Sequence, residues 1–367
     1  MTPPRFALSF TLIFLLGSLE PALPATLLVT TPETGICVTS QDATFEYRWG
    51  DLHPQTGLFS YAPVGQTPLE PKVTVPQNAT PGDLLRLEVA EPEDVDSVVA
   101  RILGPKQETL SRGFGFRPSV STEKERWVVL VGVSSLTAPG SYTLSVTIKA
   151  GARNALYLSP VVVLDRKFRF EKIGLTADLT QMRESTDPRK AAEIRELVRI
   201  ITTADTDAIF ETGMMRNPLP EARRTSGFGD RRKYVFPDNS SEFSVHEGLD
   251  LAAPEGTPVP VCGRGRVVLA GERIITGNTV VIEHLPGLFS LYFHLSQVLV
   301  KVGDVVAEGD VIGKVGQTGF ATGPHLHWEI EALGTPVDPD ALVAAPILDK
   351  STDSGEIVTG KASKGGE

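Results

Sequence analysis

Between residues 26 and about 165, the chain alternates short apolar, β-branched runs with Gly, Pro and Asn. Two of the runs place apolar residues at every second position: Leu85, Leu87 and Val89 in one, and Tyr142, Leu144, Val146 and Ile148 in the other. A period of two indicates strands with one buried face. Together with the turn residues between the runs, it predicts an immunoglobulin-like β-sandwich over residues 26–165, acting as a spacer or docking domain.

A helical pattern follows this predicted sandwich. Asp187 suits the N-cap of a helix and Pro188 suits its first position. The apolar residues after them recur at spacings of three and four: Ala191, Ile194, Leu197, Val198 and Ile201. The pattern predicts a connector over residues 166–220 that contains one amphipathic helix packed against one or both neighbouring domains.

From residue 221 the pattern returns to short strands punctuated by glycine. The predicted strands include residues 264–270, 279–283, 288–294, 311–315 and 325–330. They predict a compact, mostly antiparallel β domain over residues 221–345, so the fold class of the whole chain is mainly β. Residues 346–367, with many Gly, Ser, Lys and Glu, are expected to form a disordered tail.

The first 25 residues have the features of a secretory signal peptide. Arg5 precedes an apolar stretch over residues 6–16, and Ala25 is a small residue at the expected cleavage site. That stretch is too short to span a bilayer, and no later segment approaches about 20 apolar residues. We therefore expect an exported protein in the periplasm or cell envelope, or secreted, without a stable transmembrane anchor.

Charge and cysteine content exclude some classes of partner and scaffold. The chain has 35 Lys and Arg against 45 Asp and Glu, a net charge of −10, and it has no basic cluster. It therefore lacks the electrostatic attraction on which nucleic-acid binding depends, and we expect no nucleic-acid partner. Cys37 and Cys262 fall in different predicted domains, and we expect two buried thiols, with a disulfide bridge as the alternative.

Five of the six histidines lie in the predicted C-terminal domain. His246 and Asp250 are four residues apart around Gly248, and a turn at the glycine can direct both side chains at one ion. His325 and His327 are two residues apart, so in a strand their side chains share one face. We expect His53 and His284 to be ordinary surface or core residues. His294 is the remaining histidine.

Three nitrogen and oxygen ligands suit a catalytic zinc ion, which keeps its fourth position open for water. If His246, Asp250 and His327 bind one Zn²⁺ per chain, His325 and His294 remain nearby as bases or hydrogen-bond donors. This arrangement is typical of amide hydrolysis. A structural metal site, or a cluster of hydrogen-bonded histidines without a metal, is the alternative.

These residues closely resemble the lysostaphin-type (LytM-like) zinc metallopeptidases, enzymes that cut peptide bonds in bacterial peptidoglycan. The likeness begins at residues 226–231, which are similar to the family's S-x-F-G-x-R motif, and it continues through residues 246–250, 277–282, 292–296, 319–329 and 337–339. The resemblance implies that His246, Asp250 and His327 hold zinc, that His325 is the general base, and that His294 helps to stabilise the tetrahedral intermediate. It also implies stem peptides or cross-links of peptidoglycan as substrates.

A second hypothesis is a non-catalytic LytM-like protein that binds murein and regulates another cell-wall hydrolase. Degenerate relatives of that kind usually lack one or more metal ligands, whereas all five positions are intact here. The resemblance therefore favours the enzyme, and a regulatory protein partner is left unidentified.

Overall fold

The structure is a computed structural model that describes residues 37–39, 44–49, 57–63, 66–67, 69–90, 94–118, 126–211 and 213–348. In this part of the chain the fold is mainly β, as predicted, with three helices. The predicted signal peptide, His53, the side chain of Cys37 and residues 349–367 of the predicted tail lie outside the described residues.

The N-terminal lobe consists of strands β1 to β11. Their bounds are β1 Cys37–Thr39, β2 Thr44–Trp49, β3 Gly57–Pro63, β4 Lys72–Thr74, β5 Asn78–Ala79, β6 Leu84–Ala90, β7 Ser97–Leu103, β8 Thr109–Phe116, β9 Arg126–Gly132, β10 Gly140–Ala150 and β11 Arg153–Val163. They are hydrogen-bonded in the order β1-β2-β3-β11-β10-β7-β8-β9-β6-β4, and β5 also pairs with β11.

Strand β8 joins the two halves of this sheet. It pairs with β7 along most of its length and with β9 only through Gly115 and Phe116 at its end. Side chains of β6 and β9 then pack with those of β7, β10 and β11 in one core, which contains the alternating residues predicted on β6 and β10. A Cβ on Gly113 would lie 2.1 Å from the carbonyl oxygen of Leu130, so β8 requires glycine where β9 passes close to it.

The connector contains strand β12 (Phe170–Gly174) and two helices, α1 (Ala177–Glu184) and α2 (Pro188–Ile201). The predicted amphipathic helix corresponds to α2, whereas α1 was not predicted because its eight residues carry no apolar stripe. Helix α2 begins at Pro188 with Asp187 as its N-cap, as predicted. Ile201 is the one buried residue of α2.

The C-terminal lobe contains strands β13 to β25 and helix α3. Their bounds are β13 Arg223–Ser226, β14 Arg231–Val235, β15 Ser241–Val245, β16 Leu249–Ala252, β17 Pro258–Pro260, β18 Gly265–Arg273, β19 Gly277–Leu285, β20 Leu288–Leu295, β21 Gln297–Val298, β22 Val305–Val306, β23 Val311–Lys314, β24 Leu326–Ala332, β25 Thr335–Val337 and α3 Pro339–Ala344. The central sheet has the order β13-β16-β24-β20-β19-β18-β22, with β25 on β24, and its pairs are antiparallel, as predicted. Two three-stranded sheets, β12-β14-β15 and β17-β23-β21, flank it.

The two lobes share one hydrophobic core. Leu84 and Phe116 of the N-terminal lobe belong to the same buried cluster as Phe228 of the C-terminal lobe. The guanidinium of Arg166, just after β11, links the lobes: Nη1 donates to the carbonyl oxygen of Pro81 at 2.9 Å, and Nη2 binds Oδ2 of Asp338 at 2.5 Å. Because burial of apolar surface and this ion pair both act across the boundary, the N-terminal lobe is a packed part of the molecule.

The end of the C-terminal lobe differs from its prediction. Ile347 is fully buried in the shared core, and its N–H donates a hydrogen bond to the carbonyl oxygen of Gly213. Residues 346–348 are therefore packed and do not belong to the predicted tail. Among the described residues, no helix combines the length and apolar character that crossing a bilayer requires.

Candidate metal and catalytic site

Three buried side chains from separate segments meet on the central sheet, where the inner strands β16 and β24 pair. His246 follows β15, Asp250 lies on β16, and His327 lies on β24, where it is the direct register partner of Asp250. The Asp250 Oδ1 atom lies 3.0 Å from His246 Nε2 and 2.8 Å from His327 Nδ1, and these two nitrogens are 2.9 Å apart. The structure thus brings the three predicted metal ligands together.

Gly248 allows the segment between His246 and Asp250 to approach β24. A Cβ at this position would lie 2.4 Å from the carbonyl oxygen of Trp328 and 3.0 Å from the Nε2 atom of His327. The glycine is therefore required for close packing of the backbone beside the site. A larger residue would push β16, and Asp250 with it, away from His327.

The outer hydrogen bonds of both histidines leave lone pairs on their inner nitrogens. His246 Nδ1 lies 2.8 Å from the carbonyl oxygen of Gly227, and His327 Nε2 lies 2.7 Å from a carboxylate oxygen of Glu329. Because both oxygens are acceptors, these outer nitrogens carry the protons. The acceptor atoms His246 Nε2, His327 Nδ1 and Asp250 Oδ1 therefore face one another at the centre. Metal-binding histidines are oriented in the same way by hydrogen bonds to their outer nitrogens.

The electrostatics of this triad favour a positive charge at its centre. Burial lowers the pKa of His327, but the carboxylates of Glu329 and Asp250 outweigh it and raise that pKa to about 9. Burial raises the pKa of Asp250, yet its hydrogen bonds to His246 and His327 hold it well below its usual range. The triad therefore favours a bound cation, either a proton or a metal ion.

The donor set and its spacing fit zinc. Zinc takes histidine nitrogen and carboxylate oxygen at about 2.0–2.2 Å, which places tetrahedral ligand atoms roughly 3.4 Å apart, about half an ångström more than observed here. No other group of three or more His, Cys, Asp or Glu side chains among the described residues offers a comparable site. The only cysteine with a described side chain, Cys262, is a free buried thiol in the core.

The two predicted catalytic histidines lie beside the triad. His325 Nδ1 is 2.8 Å from the carbonyl oxygen of Gly323, and His294 Nδ1 is 2.8 Å from that of Thr318. These contacts place the protons on Nδ1, so the Nε2 atom of each ring has a lone pair. His325 Nε2 lies 3.5 Å from Asp250 Oδ1, and the rings of His294 and His325 are 4.8 Å apart between centroids.

Burial keeps both of these histidines neutral. It lowers the pKa of His325, and together with the neighbouring His325 and His327 it lowers that of His294 to about 3. A neutral imidazole with a free lone pair is the form that accepts a proton.

An unusual backbone conformation turns His294 toward the site. Its φ is +62°, in the left-handed region that few residues other than glycine adopt. Strict alternation along β20 would place His294 on the same face as Tyr292, whose hydroxyl lies in the core and accepts a hydrogen bond from the N–H of Cys262. The local irregularity in β20 breaks that alternation, so His294 shares the cleft with Phe293, whose ring stacks on His327.

Arg232 is part of the site although no sequence motif assigned it a role there. Its Nη2 donates to Asp250 Oδ2 at 2.5 Å, and its Nε donates to Glu171 of β12 at 3.3 Å. This ion pair occupies one oxygen of Asp250 and leaves Oδ1 facing the two histidines. Because β12 and β14 are paired in parallel, the contact depends on the connector, and no local sequence signal could reveal it.

We expect Arg232→Met to weaken zinc binding by about 10- to 100-fold, because an outer partner that orients a metal ligand typically contributes that much. Competition with a chromophoric chelator measures the affinity. Arg223→Met, at an exposed position on β13, is the matched control and should bind zinc as the unmodified protein does. Unchanged zinc affinity in the Arg232 variant would show that Asp250 needs no such partner.

The triad opens into a cleft of about 390 Å³ between the central sheet and the connector. Leu291, Phe293 and His327 form part of its floor, and α2 forms the facing wall. Arg183 of α1 fixes the connector there: it forms two hydrogen bonds with Glu242, at 2.8 and 3.0 Å, and its guanidinium lies 4.5 Å from the centre of the Tyr234 ring. The cleft is thus built from both the C-terminal lobe and the connector.

His284, the fifth histidine of the C-terminal lobe, is a core residue, as predicted. It is fully buried, and its two ring nitrogens contact the carbonyl oxygen of Arg264 at 2.8 Å and the hydroxyl of Ser290 at 2.7 Å. Burial lowers its pKa to about 4, so it stays neutral. It takes no part in the cleft.

Known proteins are similar in sequence to this part of the chain. Residues 244–339 match the model of peptidase family M23. The chain is 39% identical over 131 residues to the peptidoglycan DD-endopeptidase ShyB of Vibrio cholerae, and 41% identical over 127 residues to the DD-carboxypeptidase/endopeptidase Mpg of Neisseria meningitidis. Each match covers 35% of this chain, and it covers 30% and 28% of those relatives, respectively. The chain therefore matches less than a third of the length of these curated relatives.

A solved structure resembles more of the chain. The crystal structure of a peptidase M23 protein from Pseudomonas aeruginosa is 26% identical, with a TM-score of 0.50, and the match covers 72% of this chain and 94% of that one. The shared fold thus extends beyond the segment that the family model matches. Taken with the His-Asp-His site, these matches show that residues 244–339 are similar to peptidase family M23.

Proposed function

We propose that the protein is a zinc-dependent endopeptidase that hydrolyses peptide bonds in bacterial peptidoglycan. The observation that carries the proposal is the convergence of three acceptor atoms, from His246, Asp250 and His327, beside two neutral histidines in one cleft. Relatives named as peptidoglycan endopeptidases, matching the segment that contains these residues, support the choice of substrate.

In this proposal the three ligands hold one Zn²⁺. A bound zinc ion supplies Lewis acidity, which lowers the pKa of a water molecule to about 7 and polarises a substrate carbonyl. His325 accepts the proton of the attacking water through its Nε2 atom, because its Nδ1–H is already engaged by Gly323. The proton then passes to the leaving amine.

We assign His294 to the stabilisation of the tetrahedral intermediate. Its Nδ1 is held by Thr318, so its Nε2 can donate to an oxyanion only after it has gained a proton. His325, 4.8 Å away between ring centroids, would share with His294 the proton that it takes from water, and that same proton would then pass to the leaving amine. The negative charge of the oxyanion would offset the burial that lowers the pKa of His294 to about 3. The two histidines would therefore work as a pair that shares one proton during turnover.

The test combines zinc content with release of muropeptides from purified sacculi. We expect about one zinc per chain and release that a chelator abolishes and added zinc restores. Mass spectrometry of the products identifies the bond that is cut. Stoichiometric zinc without release from any sacculus preparation would contradict the proposed substrate.

A non-catalytic, murein-binding regulator is the competing function. It requires no zinc and no proton acceptor, so the intact triad and the paired histidines favour the enzyme. A folded protein that binds sacculi, contains no zinc and releases nothing would support the regulator instead.

The rest of the chain is assigned in keeping with that function. We propose an export signal over residues 1–25, a location in the cell envelope or periplasm, and an immunoglobulin-like β-sandwich over residues 26–165 that acts as a spacer or docking domain. The core shared by the lobes supports a structural role for the sandwich, since removing it would expose Phe228 and its neighbours.

A further inference from the structure

Beyond the metal triad, the side chains on the floor of the cleft are carboxylates and no longer imidazoles. His327, Glu329 and Glu331 occupy every second position of β24, and all three are buried and line the cleft. Because residues i and i+2 of a strand lie roughly 7 Å apart on the same face, Glu331 lies about 13 Å from His327 along the floor.

The two carboxylates differ in their partners. Glu329 accepts a hydrogen bond from Nε2 of His327 at 2.7 Å. Glu331 is only 4% exposed, and its Oε2 atom has no hydrogen-bond partner. Burial and the carboxylates of Glu329 and Glu247 raise the pKa of Glu331 well above its usual range. The raised pKa means that Glu331 is neutral while Oε2 lacks a partner, and an ammonium ligand would supply that partner and favour the charged carboxylate.

The wall facing these carboxylates includes an aliphatic strip beside the charged residues Lys190 and Glu193. The cations that line the cleft are each bound to other groups: Arg183 to Glu242, Lys190 to the carbonyl oxygen of Arg183, Arg232 to Asp250 and Arg273 to Glu196. Ile194, Leu197 and Val198 of α2 line the cleft, as does Leu291 on its floor. Ile194 is 52% exposed and Val198 49% exposed, although both belong to the apolar stripe of the helix. An aliphatic strip opposite carboxylates is complementary to an alkyl ammonium group, whose methylene groups pack on the strip while its charge meets the carboxylates on the floor.

We propose that Glu331, with Glu329, binds the free side-chain ammonium of a diamino acid in the substrate peptide. The proposal rests on the proposed function and adds a determinant of specificity to it. An extended peptide advances about 3.3 Å per residue. With a side chain roughly 6 Å long, a diamino acid two residues from the scissile bond would span the distance of about 13 Å to Glu331.

The test compares one cross-linked muropeptide in two forms. The first is purified from sacculi with the free amine on its diamino acid, and the second is the same compound after acetylation with acetic anhydride. We expect acetylation to lower kcat/KM of the unmodified protein by about 10- to 100-fold, because it removes a charge-assisted hydrogen bond. Glu331→Gln should lower kcat/KM on the free amine by a similar factor and leave the acetylated form unchanged.

Two controls separate specificity from damage to the site. Zinc content of Glu331→Gln should equal that of the unmodified protein. Glu272→Gln changes an exposed glutamate on β18 outside the cleft and should cleave both substrates at unmodified rates. Equal cleavage of the two forms by the unmodified protein, or an equal loss on both forms in Glu331→Gln, would overturn the proposal.

Binding provides a readout that does not depend on turnover. In isothermal titration, the free-amine muropeptide should bind the zinc-loaded His325→Ala variant, in which cleavage is slow, at least 10-fold more tightly than the acetylated one does. Adding Glu331→Gln to that variant should remove the difference. If neither form is cleaved but this difference is present, the endopeptidase assignment fails while the ammonium site stands. Equal binding of the two forms would reject the ammonium site.

Discussion

The His325→Ala variant should bind zinc as the unmodified protein does and lose about 10²- to 10⁴-fold in kcat, the contribution typical of a positioned general base. The expectation follows from the geometry, because His325 Nε2 is 3.5 Å from the inner oxygen of Asp250 without belonging to the triad itself. Elemental analysis and the rate of muropeptide release from sacculi measure the two properties separately.

Added imidazole offers an internal control for this variant. If the loss is due to a missing base, a small imidazole that enters the vacated space should restore part of the rate without changing the zinc content. Undiminished release by His325→Ala would remove His325 from the mechanism and leave His294 as the remaining candidate for the base. Loss of zinc together with activity would mean that His325 is needed for metal binding.

Much of the site could be predicted because its chemistry is encoded locally. His246 and Asp250 are separated by one short turn, and His325, just before β24, is two residues from His327 on that strand, so the spacing alone suggests shared faces. Strand alternation likewise predicted the buried residues of β6 and β10. These features depend only on the relative positions of residues that are close in sequence, so they can be predicted from residue spacing.

The features that were missed depend on contacts between distant segments. Arg232 of β14 contacts both Asp250 of β16 and Glu171 of β12, and Glu331 lines a cleft that α2 of the connector also lines. Helix α1 has no apolar stripe. It contacts the C-terminal lobe through the ion pair between Arg183 and Glu242. His294 departs from alternation through a positive φ that only the folded strand imposes. Periodicity carries no information about any of these contacts.

Removal of a ligand should have the largest effect of all. We expect Asp250→Ala and His327→Ala each to lose zinc and activity together, because two of three protein ligands cannot keep an open-sided site occupied during dialysis. Release of muropeptides should fall to the level of chelator-treated protein. Asp250→Ala also leaves Arg232 without its closest carboxylate, so its free energy of unfolding should fall further than that of His327→Ala.

Thermal unfolding distinguishes loss of metal from loss of fold. A metal that binds only the native state raises Tm, so a chelator should lower the Tm of the unmodified protein and leave the Tm of either ligand variant unchanged. Asp207→Ala, at an exposed position away from the triad, should behave like the unmodified protein in both measurements. If a ligand variant retains one zinc per chain and remains sensitive to the chelator, the metal binds elsewhere. The catalytic role assigned to the triad would then be wrong as well.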